Sequence, residues 1–281
     1  MLRDKVLVII YNKFAKILGN KGLTKYAAIR KIKNYAYKNF KLKVIEIDGN
    51  KIFLDKDDSL RLSINQIWEP TETELVKKEV KKGYTVIDIG ANIGYYTLLF
   101  AKLVGKEGKV YAFEPEPNNL DLLKKNIEVN NYKNVIIEQK AVSDTTKSVN
   151  LFTAKQGIGE HRINFSWFGN NGIEVEAIKL DDYINEKIDF IKIDIEGAEY
   201  NALLGMEKIL ESNKDVKILV EYGKSQLNEF GVNEDDFFNF LKLQKFKIYF
   251  VDRKTNSFTL LTKKEEIIQD GILGQNLFCV R

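Results

Sequence analysis

The sequence predicts an α/β domain, a largely parallel sheet covered by helices on both faces, and three observations predict it. From residue 71 onward, short apolar runs alternate with stretches of helical periodicity, the signature of strands joined by crossover helices. The runs at Val86–Ile89, Val110–Phe113 and Val216–Val220 are predominantly apolar, as strands covered on both sides must be. The first run leads directly into glycines and then a helix, in Asp88-Ile89-Gly90-Ala91-Asn92-Ile93-Gly94-Tyr95-Tyr96-Thr97. A chain of 281 residues accommodates one such domain and a small extension,.

Taken in order, the elements begin with a basic head. Between Leu2 and Phe40, Val6, Ile9, Ile10, Phe14, Ile17 and Leu18 recur at helical spacing among lysines and are interrupted by Gly19 and Gly22, so two short amphipathic helices are expected. Residues 43–54 alternate around Asp48-Gly49-Asn50, the pattern of a β-hairpin. Residues 1–68 therefore form a basic helical and hairpin extension, and 69–281 the main domain. Within it the periodicity places helices at about 71–81, 93–103, 117–129 and 198–211, and strands at 85–89, 110–113, 135–139, 188–193 and 216–221. Between 145 and 187 the regularity lapses into short β-like runs around a polar, glycine-containing stretch, 155–172, placed as a substrate loop.

Charge and composition exclude several classes. The formal net charge of +4 divides into +11 over residues 1–43 and −7 over the rest. An acidic body disfavours nucleic acid as a partner. The basic head has two readings, an amphipathic face resting on an anionic membrane or a helical cap with a solvated lysine face. Its longest early apolar run, Val6–Ile10, is far too short to span a bilayer,, so no transmembrane helix is expected. One cysteine, Cys279, and one histidine, His161, allow neither an internal disulfide nor a Cys/His zinc site,, and the setting expected is reducing and cytoplasmic.

The chemistry concentrates at two strand ends. Gly90 and Gly94 allow a ligand to approach the backbone, yet the spacing lacks the Gly-x-Gly-x-x-Gly of dinucleotide binders and the Gly-Lys-Ser/Thr of a P-loop,. An adenosyl ligand without a pyrophosphate fits better than NAD. One strand later, Val110-Tyr111-Ala112-Phe113-Glu114-Pro115 ends in a carboxylate, positioned to accept from both hydroxyls of a ribose. A nicotinamide dehydrogenase would share this layout, and the missing glycine fingerprint argues against it.

Together with Ala141-Val142-Ser143-Asp144 and Ile191-Lys192-Ile193-Asp194-Ile195-Glu196-Gly197-Ala198-Glu199, these segments follow one another in the order of a known family. The chain resembles, from about residue 69 to 222, the FkbM-type S-adenosylmethionine-dependent methyltransferases. The resemblance implies a Rossmann-like class I methyltransferase fold with a seven-stranded sheet, S-adenosyl-L-methionine as cofactor, and O-methylation of a small, sugar-like or lipid-linked glycan acceptor. It further implies that Asp88, Gly90, Asn92 and Gly94 line the amino-acid end of the cofactor, Glu114 the ribose, and Ser143 or Asp144 the adenine edge. Glu69 or Glu72 matches an acidic position of the family. Many relatives place a histidine two residues beyond the glutamate that follows Ile218-Leu219-Val220, whereas this chain reads Glu221-Tyr222-Gly223. That departure keeps open a protein that binds the cofactor without catalysis.

Methylation of a hydroxyl requires a base. Asp194 is the first candidate, with Glu196 and Glu199 behind it. Lys192, two residues earlier on the same strand face, is placed to orient the acceptor or to lower the pKa of Asp194. The plainer alternative has Asp194 and Glu196 capping the following helix. Paired carboxylates also suit a divalent cation, but nothing in the spacing demands one and no metal is expected. His161 reads as a surface residue of the loop.

Overall fold

A computed structural model describes residue 26 and residues 42–153, 163–164, 172–253, 255–262 and 274–281. The two amphipathic helices of the basic head, most of the 155–172 loop and His161 lie outside the described residues. The chain divides into two compact units, Met1–Trp68 and Glu69–Arg281.

In the first unit, β1 (Val44–Ile47) and β2 (Asn50–Phe53) form an antiparallel hairpin. Asp48 and Gly49 both take positive φ, 50° and 77°, the requirement of the tight turn that matches strand twist. A helical turn, Leu62–Asn65, follows. Buried Asp58 secures its start, accepting the N–H groups of Leu62 and Ser63 at 2.9 and 3.1 Å.

The second unit is organised around an eight-stranded sheet. In chain order it comprises β3 (Thr85–Ile89), β4 (Lys109–Phe113), β5 (Val135–Glu138), β10 (Phe190–Ile193), β11 (Lys217–Tyr222), β12 (Lys247–Asp252), β13 (Ser257–Leu260) and β14 (Gln275–Val280). Their spatial order is β13-β12-β14-β11-β10-β3-β4-β5. The five from β11 to β5 are parallel, and β14 inserts antiparallel between β11 and β12. The expected seven-stranded arrangement is thus present with one strand added: β13 pairs with β12 as an outer hairpin. Helices α1 (Pro70–Glu79), α2 (Tyr95–Val104), α3 (Pro117–Val129), α4 (Glu199–Leu204), α5 (Glu207–Ser212), α6 (Lys224–Glu229) and α7 (Glu234–Leu243) complete the α/β architecture. Residues 95–101 of α2 are all buried, as in a helix enclosed within a core. Phe100, Phe113, Phe190 and Phe237 are fully buried, each contributing about 1.5–3 kcal/mol.

Two stretches differ from expectation. The single helix expected at 198–211 is two, α4 and α5, separated at Gly205. A Cβ on Gly205 would stand 2.0 Å from the Ser143 carbonyl oxygen, and the Gly205 carbonyl itself accepts from Asp181 N–H at 3.0 Å. The chain leaves the helix to make that close approach. The irregular stretch after residue 140 contains a second sheet, β6 (Ala141–Val142), β9 (Ile173–Ile178), β7 (Lys147–Thr153) and β8 (Ile163–Asn164), in that spatial order. Among the described residues no helix is long and apolar enough to cross a membrane.

Candidate active site

The parallel strands end on one edge, where the loops after β3, β4, β6, β10 and β11 converge. The β3–α2 loop is shaped by three left-handed residues, Gly90 (φ 82°), Asn92 (φ 51°) and Gly94 (φ 94°). Its glycines answer to packing as well as to a ligand: a Cβ on Gly90 would lie 2.0 Å from the Asp194 carbonyl oxygen, and one on Gly94 2.6 Å from Leu123 Cδ1. The loop after β3 therefore rests on the loop after β10.

Glu114, at the end of β4, is 2% exposed. Its Oε2 accepts Asn92 N–H at 2.7 Å and its Oε1 accepts Glu116 N–H at 2.9 Å. Burial pushes this carboxyl up to about 7, against the opposing pull of those two N–H groups. Each oxygen retains a second lone pair. Beside Glu114 a cavity is lined by Gly90, Phe113, Pro115, Ala141, Val142 and Ile195. Ser143 and Asp144 follow directly, Ser143 Oγ donating to Asp144 Oδ1 at 2.9 Å. Asp88 lies deeper, fully buried; Thr97 Oγ1 donates to its Oδ2 at 2.5 Å, and its Oδ1 has no hydrogen-bond partner. An apolar slot, a carboxylate with spare acceptor capacity and an unsatisfied buried acceptor fit an adenosyl group with a cationic tail.

The neighbouring ends of β10, β11 and β14 carry charge. Lys192 stands opposite Asp88 in the β10–β3 register and is 2% exposed. Its Nζ donates to Asp194 Oδ2 at 2.9 Å and sits 4.7 Å over the Tyr96 ring. Burial works against the Lys192 charge, but Asp194, Asp88 and Glu69 outweigh it and hold the ammonium above the ordinary lysine range. For Asp194, burial is likewise outweighed, by Lys192, and the carboxyl is held below its usual value. Asp194 nonetheless keeps its side chain 28% exposed, an ionised carboxylate open at the rim.

Register brings Glu221 beside it, because Ile193 pairs with Val220 and Glu221 with Asn276. Oxygens of Asp194, Glu196 and Glu221 lie within 4.8 Å of one another, a spacing at which they could also hold a divalent cation. Burial, then Asp194 and Glu196, push Glu221 well above the ordinary carboxylate range.

The helix-capping alternative is not what the structure shows. Helix α4 has Ala198 at its N-cap and no side-chain cap, while Asp194 pairs with Lys192 and Glu196 accepts from Gln226 Nε2 at 3.0 Å. Glu199 is 1% exposed and turns back to accept the N–H groups of Ile195 and Gly197, which makes it a brace for the loop and not an open base. Burial holds it at about 7.

Sequence reasoning leaves four participants unassigned. Tyr96, Glu221, Arg253 and Asn276 join Glu69 and Glu72 around the same edge. Arg253 Nε donates to Glu72 Oε1 at 2.6 Å and its Nη2 pairs with Glu69; Asn276 Nδ2 donates to both carboxylates at 3.0 and 3.1 Å. A signal existed for one of them: Glu221 is an acid that directly follows the apolar run Ile218-Leu219-Val220.

With this geometry established, comparison with known proteins decides the family. The family described as "Methyltransferase FkbM domain" matches residues 88–248, from the end of β3 to the start of β12. The chain belongs to the FkbM methyltransferase family. The domain is therefore of the S-adenosylmethionine-dependent class, and S-adenosylmethionine is the ligand its cradle suits. A "Protein-L-isoaspartate O-methyltransferase" of Methanococcoides burtonii is 37% identical over 59 residues, covering 21% of this chain and 29% of that protein. The "2-O-methyltransferase NoeI" of Sinorhizobium fredii is 25% identical over 203 residues, 63% of this chain and 81% of that one. The "Hexuronic acid methyltransferase AglP" of Haloferax volcanii is 24% identical over 173 residues, 57% and 69% respectively. The match thus spans under a third of the first relative and most of the other two.

Proposed function

We propose that this FkbM-family protein methylates a hydroxyl of a sugar-like acceptor, with Asp194 as the base that removes the hydroxyl proton. One observation carries the reading: Gly90 packs its backbone onto the Asp194 carbonyl, so the adenosyl cradle and an open, ionised carboxylate are parts of one loop pair. The names of two relatives, a 2-O-methyltransferase and a hexuronic acid methyltransferase, support the acceptor class.

Glu114 would hold the ribose hydroxyls with its remaining lone pairs, the apolar slot the adenine, Ser143 and Asp144 its edge, and the 90–94 loop with Asp88 the methionine end. Bound there, S-adenosylmethionine supplies an electrophilic methyl group whose positive charge on sulfur disappears as the group leaves. The protein's own work is to place the acceptor and to take its proton. Asp194 accepts the proton as the oxygen–methyl bond forms, and Lys192 keeps Asp194 ionised until then. Proton removal of this kind contributes about 10²–10⁴ in rate, and alignment of two reactants roughly 7–11 kcal/mol. Glu196, fixed by Gln226, borders the same space and would receive a second acceptor hydroxyl.

The test has two stages. Calorimetric titration with S-adenosylhomocysteine should show binding that Glu114→Ala weakens about 100-fold, the loss of roughly two charge-assisted hydrogen bonds, while NAD should not bind. Labelled methyl donor should then transfer to one of a panel of neutral and uronic sugars. Binding without transfer to any sugar would overturn the acceptor class.

A further inference from the structure

Glu69 is held in a conformation that its place in the chain makes costly. It takes φ 44° and ψ 72° immediately before Pro70, and its side chain makes no capping bond to α1. A left-handed non-glycine residue persists only where its surroundings fix it. Here they fix the carboxylate, which is 11% exposed. Its Oε1 takes Arg253 and Asn276, and its Oε2 takes the Tyr96 hydroxyl at 3.0 Å.

The ties to Arg253 and Asn276 do not require Glu69. Fully buried Glu72 already accepts from both, and so joins α1 to the ends of β12 and β14 unaided. What Glu69 supplies is the acceptor for the Tyr96 O–H, a hydroxyl that Thr73 engages as well. Tyr96 is 4% exposed, and its ring lies under the Lys192 ammonium at 4.7 Å. The hydroxyl bond anchors the far end of that ring; the ring face lies against the buried ammonium, and so helps set where Lys192 points; and Lys192 donates to Asp194 at 2.9 Å.

We propose that Glu69 is a positioning residue for methyl transfer, acting through Tyr96 to hold Lys192 against Asp194. This rests on Asp194 being the base. The charged and titratable groups around Glu69 are Glu72 on α1, Tyr96 on α2, Lys192 and Asp194 at β10, Glu221 at β11 and Arg253 beyond β12. Burial and the neighbouring Glu72 bring the Glu69 carboxyl to about 7, so its negative charge, and its grip on the Tyr96 hydroxyl, strengthen as pH rises through neutrality.

Two substitutions isolate the contact. Glu69→Gln keeps an acceptor oxygen and removes the charge; Tyr96→Phe keeps the ring and removes the hydroxyl. Both are read first without turnover, by the ¹⁵N chemical shift of the Lys192 ammonium in the full chain loaded with S-adenosylhomocysteine. The signal should move in both variants, and a signal unmoved in both overturns the coupling whatever the enzyme's activity. They are then read by kinetics with the sugar acceptor that the labelled-methyl transfer assay identifies. Each should lower kcat about 10- to 100-fold, the scale of a small misplacement, leave KM for S-adenosylmethionine unchanged, and, for Glu69→Gln, flatten the acid limb of the kcat–pH profile near neutrality. Wild-type kcat and pH profile in both variants, beside a lowered melting temperature, would make Glu69 a structural tie and nothing more. If the ammonium signal moves but an Asp194→Asn variant transfers methyl as well as wild type, the base assignment fails while the coupling stands.

Discussion

The two halves of the sheet's carboxyl edge are built from opposite materials. On the β3–β4–β6 side a ligand would meet an apolar slot, backbone amides and, at the ribose, one carboxylate, Glu114, itself held by two N–H groups. On the β10–β11–β14 side it would meet Asp194, Glu196 and Glu221 within 4.8 Å of one another, with Lys192 buried beneath them. A neutral ring is held well by shape and dispersion. Proton transfer needs charge kept out of water, where a charged group interacts strongly with its neighbours. The division of labour is thus a division of dielectric environment, and substitutions on the two sides should fail in different ways.

The largest effect should come from the charged side. Asp194→Asn removes the base and leaves the Lys192 ammonium with Asp88 and Glu69 as its neighbouring carboxylates. Methyl transfer should fall about 10²–10⁴-fold, while the calorimetric affinity for S-adenosylhomocysteine changes by less than about threefold, since no cradle residue is altered. A comparable loss of affinity would show that the two halves do not divide the work.

Gly90 is where the halves meet, and the next largest effect belongs there. Alanine at this position needs a left-handed residue (φ 82°) and places its Cβ 2.0 Å from the Asp194 carbonyl oxygen. Backbone must move to relieve the contact. The expected cost is about 3 kcal/mol or more, a fall of roughly 6–12 °C in melting temperature for a domain of this size, with cofactor binding and transfer lost together. A Gly90→Ala protein that melts like wild type would mean that the two loops are not in firm contact.

How much of this was legible in the sequence follows the same boundary. The β3–α2–β4 region is readable because its signals are local: apolar strands run into Gly90 and Glu114, and the element limits seen agree with those expected to within a residue or two. Lys192 and Asp194 are equally local, two residues apart at the end of one strand. The rest of the charged side is assembled at long range. Arg253 and Asn276 reach Glu69 and Glu72 across 184 and 207 residues of chain for the Glu69 bonds, and they do so only because β14 inserts between β11 and β12. No periodicity announces that insertion. The break at Gly205 is illegible for a like reason, since it answers to a carbonyl at Ser143 and not to any neighbour in sequence. Glycine or proline punctuation would have marked the possibility of a stop, but only the packing supplies the cause.

The smallest effect tests the electrostatics of the apolar side at its ribose carboxylate. In the free protein burial holds Glu114 at about 7, so near neutrality it is part protonated. A protonated carboxyl gives one of its oxygens over to O–H and accepts more weakly than the anion, whose hydrogen bonds to hydroxyl donors are the charge-assisted ones. Raising pH through 7 therefore converts the weaker ribose acceptor to the stronger, and affinity for S-adenosylhomocysteine should rise, by roughly tenfold at most between about pH 6 and pH 8. The same protonation acts on folding with the opposite sign. Because the folded-state value lies above the unfolded one, the stability that Glu114 contributes is complete below the ordinary carboxylate range and declines as pH rises through 7. Binding that strengthens while the free fold weakens is a pairing that a remote titrating group would not produce. Glu114→Gln should abolish both slopes, leaving an affinity that is lower and flat; if the slopes survive the substitution, the group being titrated lies on the charged side and the apolar half does not set its own electrostatics.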